Sequence, residues 1–116
     1  MILPLAHTKL DVYKTSHSMV LEVYRIVRTF PDYEKFGMMA QIRRAAVSVH
    51  LNITEGCSRK SKAERNRFYE VARGSLIEVD AGLDIAKDLG YCTILEGTEI
   101  VKLVQSCFHQ LTAMMR

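Results

Sequence analysis

Gln41, Arg44, Ser48, Asn52 and Glu55 recur at steps of three and four, so on a helix they form one polar line beside an apolar face. The line offers a carboxylate, a hydroxyl and an amide, the groups of hydrolytic chemistry, but no base stands with them. His50, the only histidine nearby, falls on the side of that helix away from Asn52, so a Ser48–His50 relay is poorly oriented. His7, His17 and His109 are scattered along the chain. Cys57, Cys92 and Cys107 form no CxxC pair and no cluster with metal-ligand spacing. The residues therefore assign no catalytic group, metal ligand or cofactor, and the chain reads as a non-enzyme. A polar group buried at the edge of a core without a partner costs about 1–3 kcal/mol. Glu78 is the acidic candidate for Arg43 or Arg44, and Ser75 lies one turn before it. Two readings of the line stand: a hydrogen-bond network that fixes helix register, which is favoured, or a ligand or catalytic groove.

A second constellation follows. Arg59, Lys60, Lys62, Arg65 and Arg67 crowd into nine residues. Arginine presents a bidentate fork to phosphate, lysine adds a point charge, and the start of a helix adds free amides. The bland reading is a solvated loop; the sharper one is an edge that binds the phosphate backbone of RNA. Tyr69 is the aromatic placed to stack on an unpaired base, with Phe68 assigned to the core. Recognition of backbone or shape is expected, since no base-reading motif is present. Residues 43–73 carry a net charge of +5 and residues 74–116 a net of −3, so the two stretches are of opposite sign. Such a chain can engage a polyanion with one part and another subunit with the other.

The elements that must position these residues follow from the apolar period. The composition, 48% hydrophobic and 25% charged, is that of a globular protein, and 116 residues suit a single domain over 1–116. Thr8-Lys9-Leu10-Asp11 has the pattern of a capping box opening a first helix, whose stripe is Val12, Val20, Val23, Val27 and Phe30, widened by Met19, Tyr24 and Ile26. Phe30-Pro31 ends it. A second helix runs from Phe36-Gly37 to Glu55 on Met38, Met39, Ile42, Ala45, Ala46, Val49 and Ile53, with Gly56 as its left-handed stop. Ser61–Glu64 caps a long third helix with Phe68, Ala72, Leu76, Val79, Leu83 and Ala86 inward, closed by Gly90. Thr93–Glu96 opens a fourth with Ile100, Val101, Val104, Phe108, Leu111 and Met115 inward. No strand pattern occurs. The expected fold is all-α, an up-down-up-down antiparallel four-helix bundle. Met1–Ala6 is apolar but too short for a secretory signal, no run is long enough to span a membrane, and three unpaired cysteines suit a cytoplasmic location. Leu21, Tyr24, Leu103 and Cys107 exceed what one internal face requires and point to a subunit interface, which the reading favours, or to a broad core.

From Leu10 to Met115 the chain resembles the four helix bundle family encoded in intervening sequences of bacterial large-subunit ribosomal RNA genes. The matching residues are Phe30-Pro31, Gln41, Arg43-Arg44-Ala45, Ser48, Asn52-Ile53, Glu55-Gly56, Arg59, Ser61, Glu64, Gly74-Ser75, Glu78 and Leu89-Gly90-Tyr91. His50 stands where members commonly carry proline, and Thr54 where alanine is usual. The family is similar to the accessory protein of diversity-generating retroelements. The resemblance implies a homopentameric barrel with a possible RNA partner. It also implies an alternative, a protein-interaction scaffold docking, for example, a reverse transcriptase-like protein.

Overall fold

The computed structural model describes residues 2–116; Met1, the first residue of the apolar stretch Met1–Ala6, lies outside the described residues. Four helices, α1 (Asp11–Val27), α2 (Met38–Cys57), α3 (Lys62–Asp88) and α4 (Glu99–Met114), run up-down-up-down, with 3₁₀ turns at Ala6–Lys9 and Asp32–Glu34. There is no strand among the described residues. Each helix packs on its sequence neighbours, α1 closes the bundle against α4, and α2 lies on α3 along most of its length. At 1.5 Å per residue, the 27 residues of α3 span about 40 Å, close to the 43 Å long axis of the molecule. One apolar cluster draws on every helix, from Met19, Val23 and Val27 through Val49, Ile53, Leu76 and Val79 to Cys107 and Leu111.

Several helix ends differ from the sequence reading. Thr8 does not cap α1: it sits in the 3₁₀ turn and donates its hydroxyl to the Leu5 carbonyl at 2.8 Å. Leu10 is the residue before α1 and offers no side-chain cap. The capping-box pattern was satisfied locally, because a threonine hydroxyl competes for nearby backbone carbonyls. Helix α1 stops at Val27, three residues before Phe30, and Phe30 remains buried in the turn. Helix α2 starts after Gly37, where Glu34 reaches forward so that its Oε1 accepts from the Met38 amide at 3.1 Å. Helix α4 begins at Glu99, later than Thr93–Glu96, with Thr98 donating to the Leu95 carbonyl.

Two glycines carry different constraints. Gly90 has φ +79°; its amide donates to Lys87 O and the Tyr91 amide donates to Ala86 O, the paired bonds that close α3. Gly56, expected to stop α2 in the same way, instead lies buried inside the helix with an ordinary φ. A Cβ there would stand 2.7 Å from Tyr69 Cε1, so it is the approach of the tyrosine ring that requires glycine.

That approach changes the core assignment on α3. Tyr69 is buried and Phe68 only half-buried, the reverse of expectation. Both residues fit the inward register with Ala72, and the space left by Gly56 decides between them. On α4 a similar exchange occurs. Cys107 is fully buried, in register with Ile100 and Leu111, whereas Phe108 lies a further 100° around the helix and is exposed. Cys107 is therefore core, not surplus surface.

Candidate nucleic-acid interface

The polar line is a local network at its centre and solvated at its ends. Ser48 Oγ and Ser75 Oγ, on α2 and α3, are 2.8 Å apart. Asn52 Nδ2 donates to Ser48 O at 2.8 Å and to Ser48 Oγ at 3.1 Å, and both residues are half-buried. Gln41, Arg44, Glu55 and Glu78 are exposed. Among the described residues no ion pair joins Glu78 to Arg43 or Arg44; Arg43 lies 5.9 Å from the Tyr24 ring instead, and Glu78 borders a shallow groove with Met38, Gln41 and Ile42. Glu55 is salt-bridged to Arg59, 3.0 Å away.

His50 has its own partners on the opposite flank. Its Nδ1 is 2.7 Å from Ser16 Oγ of α1, and its ring packs against Tyr13 at 4.6 Å and His17 at 5.5 Å. His7 joins the same cluster through Tyr13, at 5.4 Å. Histidines scattered in sequence are thus gathered at one end of the bundle, which only the antiparallel pairing of α1 with α2 could reveal. Burial lowers the His50 pKa, and the neighbouring His17 and His7 lower it further. Ser16 is completely buried and His50 half-buried, so the Ser16–His50 hydrogen bond ties α1 to α2 at the edge of the core. No group of three or more histidine, cysteine or acidic side chains among the described residues could hold a metal ion.

The five bases at the α2–α3 turn divide by role. Ser61 caps α3, its hydroxyl accepting from the Glu64 amide at 3.1 Å, as its position before Lys62 and Glu64 requires. Arg65 folds back so that Nη1 donates to the carbonyls of Lys60 (2.7 Å) and Arg59 (3.3 Å), which locks the turn. Arg59 donates from Nη2 to Glu55 and lies over the Phe68 ring at 4.8 Å, with Arg67 5.5 Å from that ring. Phe68 is therefore a platform for guanidinium groups. Tyr69, proposed from sequence as a stacking residue, is buried and its hydroxyl lies 3.4 Å from Cys57 Sγ, so no base can stack on it. Lys62 Nζ donates to the Arg116 carbonyl at 2.5 Å. Lys60 and Arg67 stand exposed with no carboxylate partner among the described residues.

An antiparallel bundle whose long middle helices meet at a rigid basic turn defines a class of small helical protein. Residues 8–113 match the family described as 23S rRNA-intervening sequence protein, and the chain belongs to that family. Its fold is similar to a crystal structure of a protein with unknown function from the S23 ribosomal protein family of Bacteroides thetaiotaomicron. The two are 20% identical over 90% of this chain and 91% of that one, with a TM-score of 0.63. No curated protein matches the chain. No described helix is long and apolar enough to cross a membrane.

Proposed function

We propose that the protein is a non-enzymatic, oligomeric bundle that associates with RNA or a ribonucleoprotein through the basic edge at the α2–α3 turn. The observation that carries this reading is the pairing of a rigid turn with unspent charge. Arg65 holds the loop carbonyls, while Lys60 and Arg67 extend into solvent beside the first turn of α3. That turn has unpaired amides of its own, of which Ser61 takes only one, Glu64's. Such an edge meets phosphates without reading bases, so binding should be micromolar or weaker, indifferent to sequence and steeply dependent on salt. The test is polynucleotide binding measured between about 50 and 200 mM salt; affinity that does not fall over this range removes the reading.

Exposed apolar residues support the oligomeric part of the proposal. Leu21, Leu51, Val71, Ile77 and Ile85 are each at least half exposed on the outer faces of α1, α2 and α3. These residues would be buried if another subunit or partner covered those faces. A cyclic assembly, five subunits in the resembling proteins, would do so, and light scattering that returns a monomer mass at micromolar concentration would exclude it. The same surface supports the second reading, a scaffold that docks a reverse transcriptase-like protein. Salt-independent capture of such a partner, with no polynucleotide binding, would favour it.

A further inference from the structure

Beside the basic turn lies a cleft that the backbone-binding reading does not use. The 3₁₀ turn at Ala6–Lys9 packs on α1, and between it and the α2–α3 corner is an opening of about 340 Å³ lined by His7, Leu10, Cys57, Arg59, Arg65 and Tyr69. This is the lower end of the range for sites that take a small molecule, and it is open to solvent on one side. Three of its lining side chains are basic, Tyr69 and Cys57 bring an O–H and an S–H, and no carboxylate lines it. Glu55 does not line it and is paired with Arg59 Nη2.

One atom here lacks what buried polar atoms normally have. Arg59 Nε is buried and has no hydrogen-bond partner, although Nη2 of the same group is paired and the guanidinium plane is held over Phe68. Buried donors in native proteins are nearly always satisfied, and this guanidinium keeps one N–H unmatched. Arg65 is likewise immobilised by the Lys60 and Arg59 carbonyls through Nη1, which leaves its other N–H groups for a ligand. Two pre-positioned guanidinium groups beside a histidine make a receptor for a compact, multiply charged oxyanion. A phosphate monoester fits best: it carries about −1.5 to −2 charge and three acceptor oxygens, whereas an internal phosphodiester has one charge and cannot enter end-on.

We infer that this cleft binds a terminal phosphate monoester, so that the protein engages the phosphorylated end of a nucleic-acid strand or a phosphorylated small molecule in addition to the strand's backbone. For the strand end, the inference rests on the RNA-binding reading above; for the small molecule it stands alone. The experiment uses the full chain and three probes: a single-stranded RNA with a 5′-phosphate, the same RNA with a 5′-hydroxyl, and a nucleoside 5′-monophosphate. Anisotropy at fixed salt should show the phosphorylated end binding about tenfold more tightly, since charge-assisted hydrogen bonds are at stake. Arg59→Lys, which keeps the charge but loses the fork, should reduce that preference to within about twofold, weakening the 5′-phosphate RNA more than the 5′-hydroxyl RNA. His7→Gln, outside the four helices, should weaken the preference without disturbing the fold, and thermal melting of both variants checks this. The nucleoside monophosphate should compete for the preference. If it shifts amide resonances of residues 6–10 and 57–69 while neither RNA binds, the ligand is a phosphorylated small molecule and only the backbone reading falls. If both RNAs bind equally and the monophosphate causes no shift, the cleft is not a monoester site, while salt-dependent strand binding stands.

Discussion

Replacing Gly56 by alanine should destabilise the bundle, although the same change at Gly74 should stabilise it. Both glycines lie inside long helices, and alanine is favoured over glycine there by about 1 kcal/mol. At Gly74 a Cβ would meet nothing within 4 Å, so the propensity gain of about 0.5–1 kcal/mol should appear nearly whole. At Gly56 the added carbon would stand 2.7 Å from Tyr69 Cε1, 3.0 Å from Cδ1 and 3.1 Å from Phe68 Cβ. Carbon atoms in contact sit about 3.5–4.0 Å apart, so the ring must retreat by roughly 1 Å. Tyr69 is buried and its hydroxyl is beside Cys57 Sγ, so retreat disturbs packing on both sides of the ring. Overpacking of this kind costs about 1–3 kcal/mol, which matches or exceeds the propensity gain and leaves a net loss of up to about 2 kcal/mol. The two variants should then differ by about 1–3 kcal/mol, or roughly 4–12 °C in Tm for a chain of this size. Thermal melting by circular dichroism measures it, with the mass in solution matched by light scattering. A Gly56→Ala variant that melts at or above Gly74→Ala would refute the close approach of Tyr69.

The polar line should respond unevenly: Asn52→Ala removes a half-buried amide from Ser48 and should cost about 1 kcal/mol, whereas Glu55→Ala loses only an exposed ion pair and should cost under about 0.5 kcal/mol in urea titration. Equal losses would mean that Ser48 and Asn52 are not the centre of the network. Because the folded state lowers the His50 pKa below its usual 6.5, the unfolded chain binds more protons near and below that pH; the stabilisation is therefore complete above about pH 6.5 and is lost as pH falls through the lowered value. Replacing His50 by Gln should flatten the fall in Tm between pH 7.5 and 5, and an unchanged slope would remove His50 as its source. Alkylation followed by mass spectrometry should modify half-buried Cys57 in the native protein and spare Cys107, whose thiol burial pushes up to about 12, until the bundle unfolds. Equal labelling of the two would show that the α4 core opens readily.

Helix count and order were legible because each apolar stripe keeps a period near 3.6 and the breakers Pro31 and Gly90 fall between stripes. The Ser61 cap was legible too, since a serine three residues before a glutamate satisfies a specific amide. What misled were choices between adjacent positions. Phe68 against Tyr69, and Phe108 against Cys107, each differ by one residue, and larger side chains drew the assignment although neighbouring helices settle it. A glycine beside a tyrosine-sized space was the available signal for Tyr69, yet Gly56 also fits a helix stop by sequence. For the site, crowding of Arg59, Lys60, Lys62, Arg65 and Arg67 was visible, but not its division into two exposed bases without a carboxylate partner and three that hold the turn, Glu55 or the Arg116 carbonyl. That division depends on backbone carbonyls whose directions no linear pattern encodes. The His7–His17–His50 gathering was hidden for the same reason.

The most direct test of the basic edge is the salt dependence of single-stranded RNA binding by the parent and by the Lys60→Gln/Arg67→Gln double variant. These two bases hold no ion pair and line no part of the phosphate cleft, so their loss should leave Tm unchanged. If each meets a phosphate, the slope of log affinity against log salt should become shallower by about 1.4, and binding should weaken equally on unrelated sequences. A parent slope near zero, or the same slope and affinity in the double variant, would contradict an RNA-binding role for this edge.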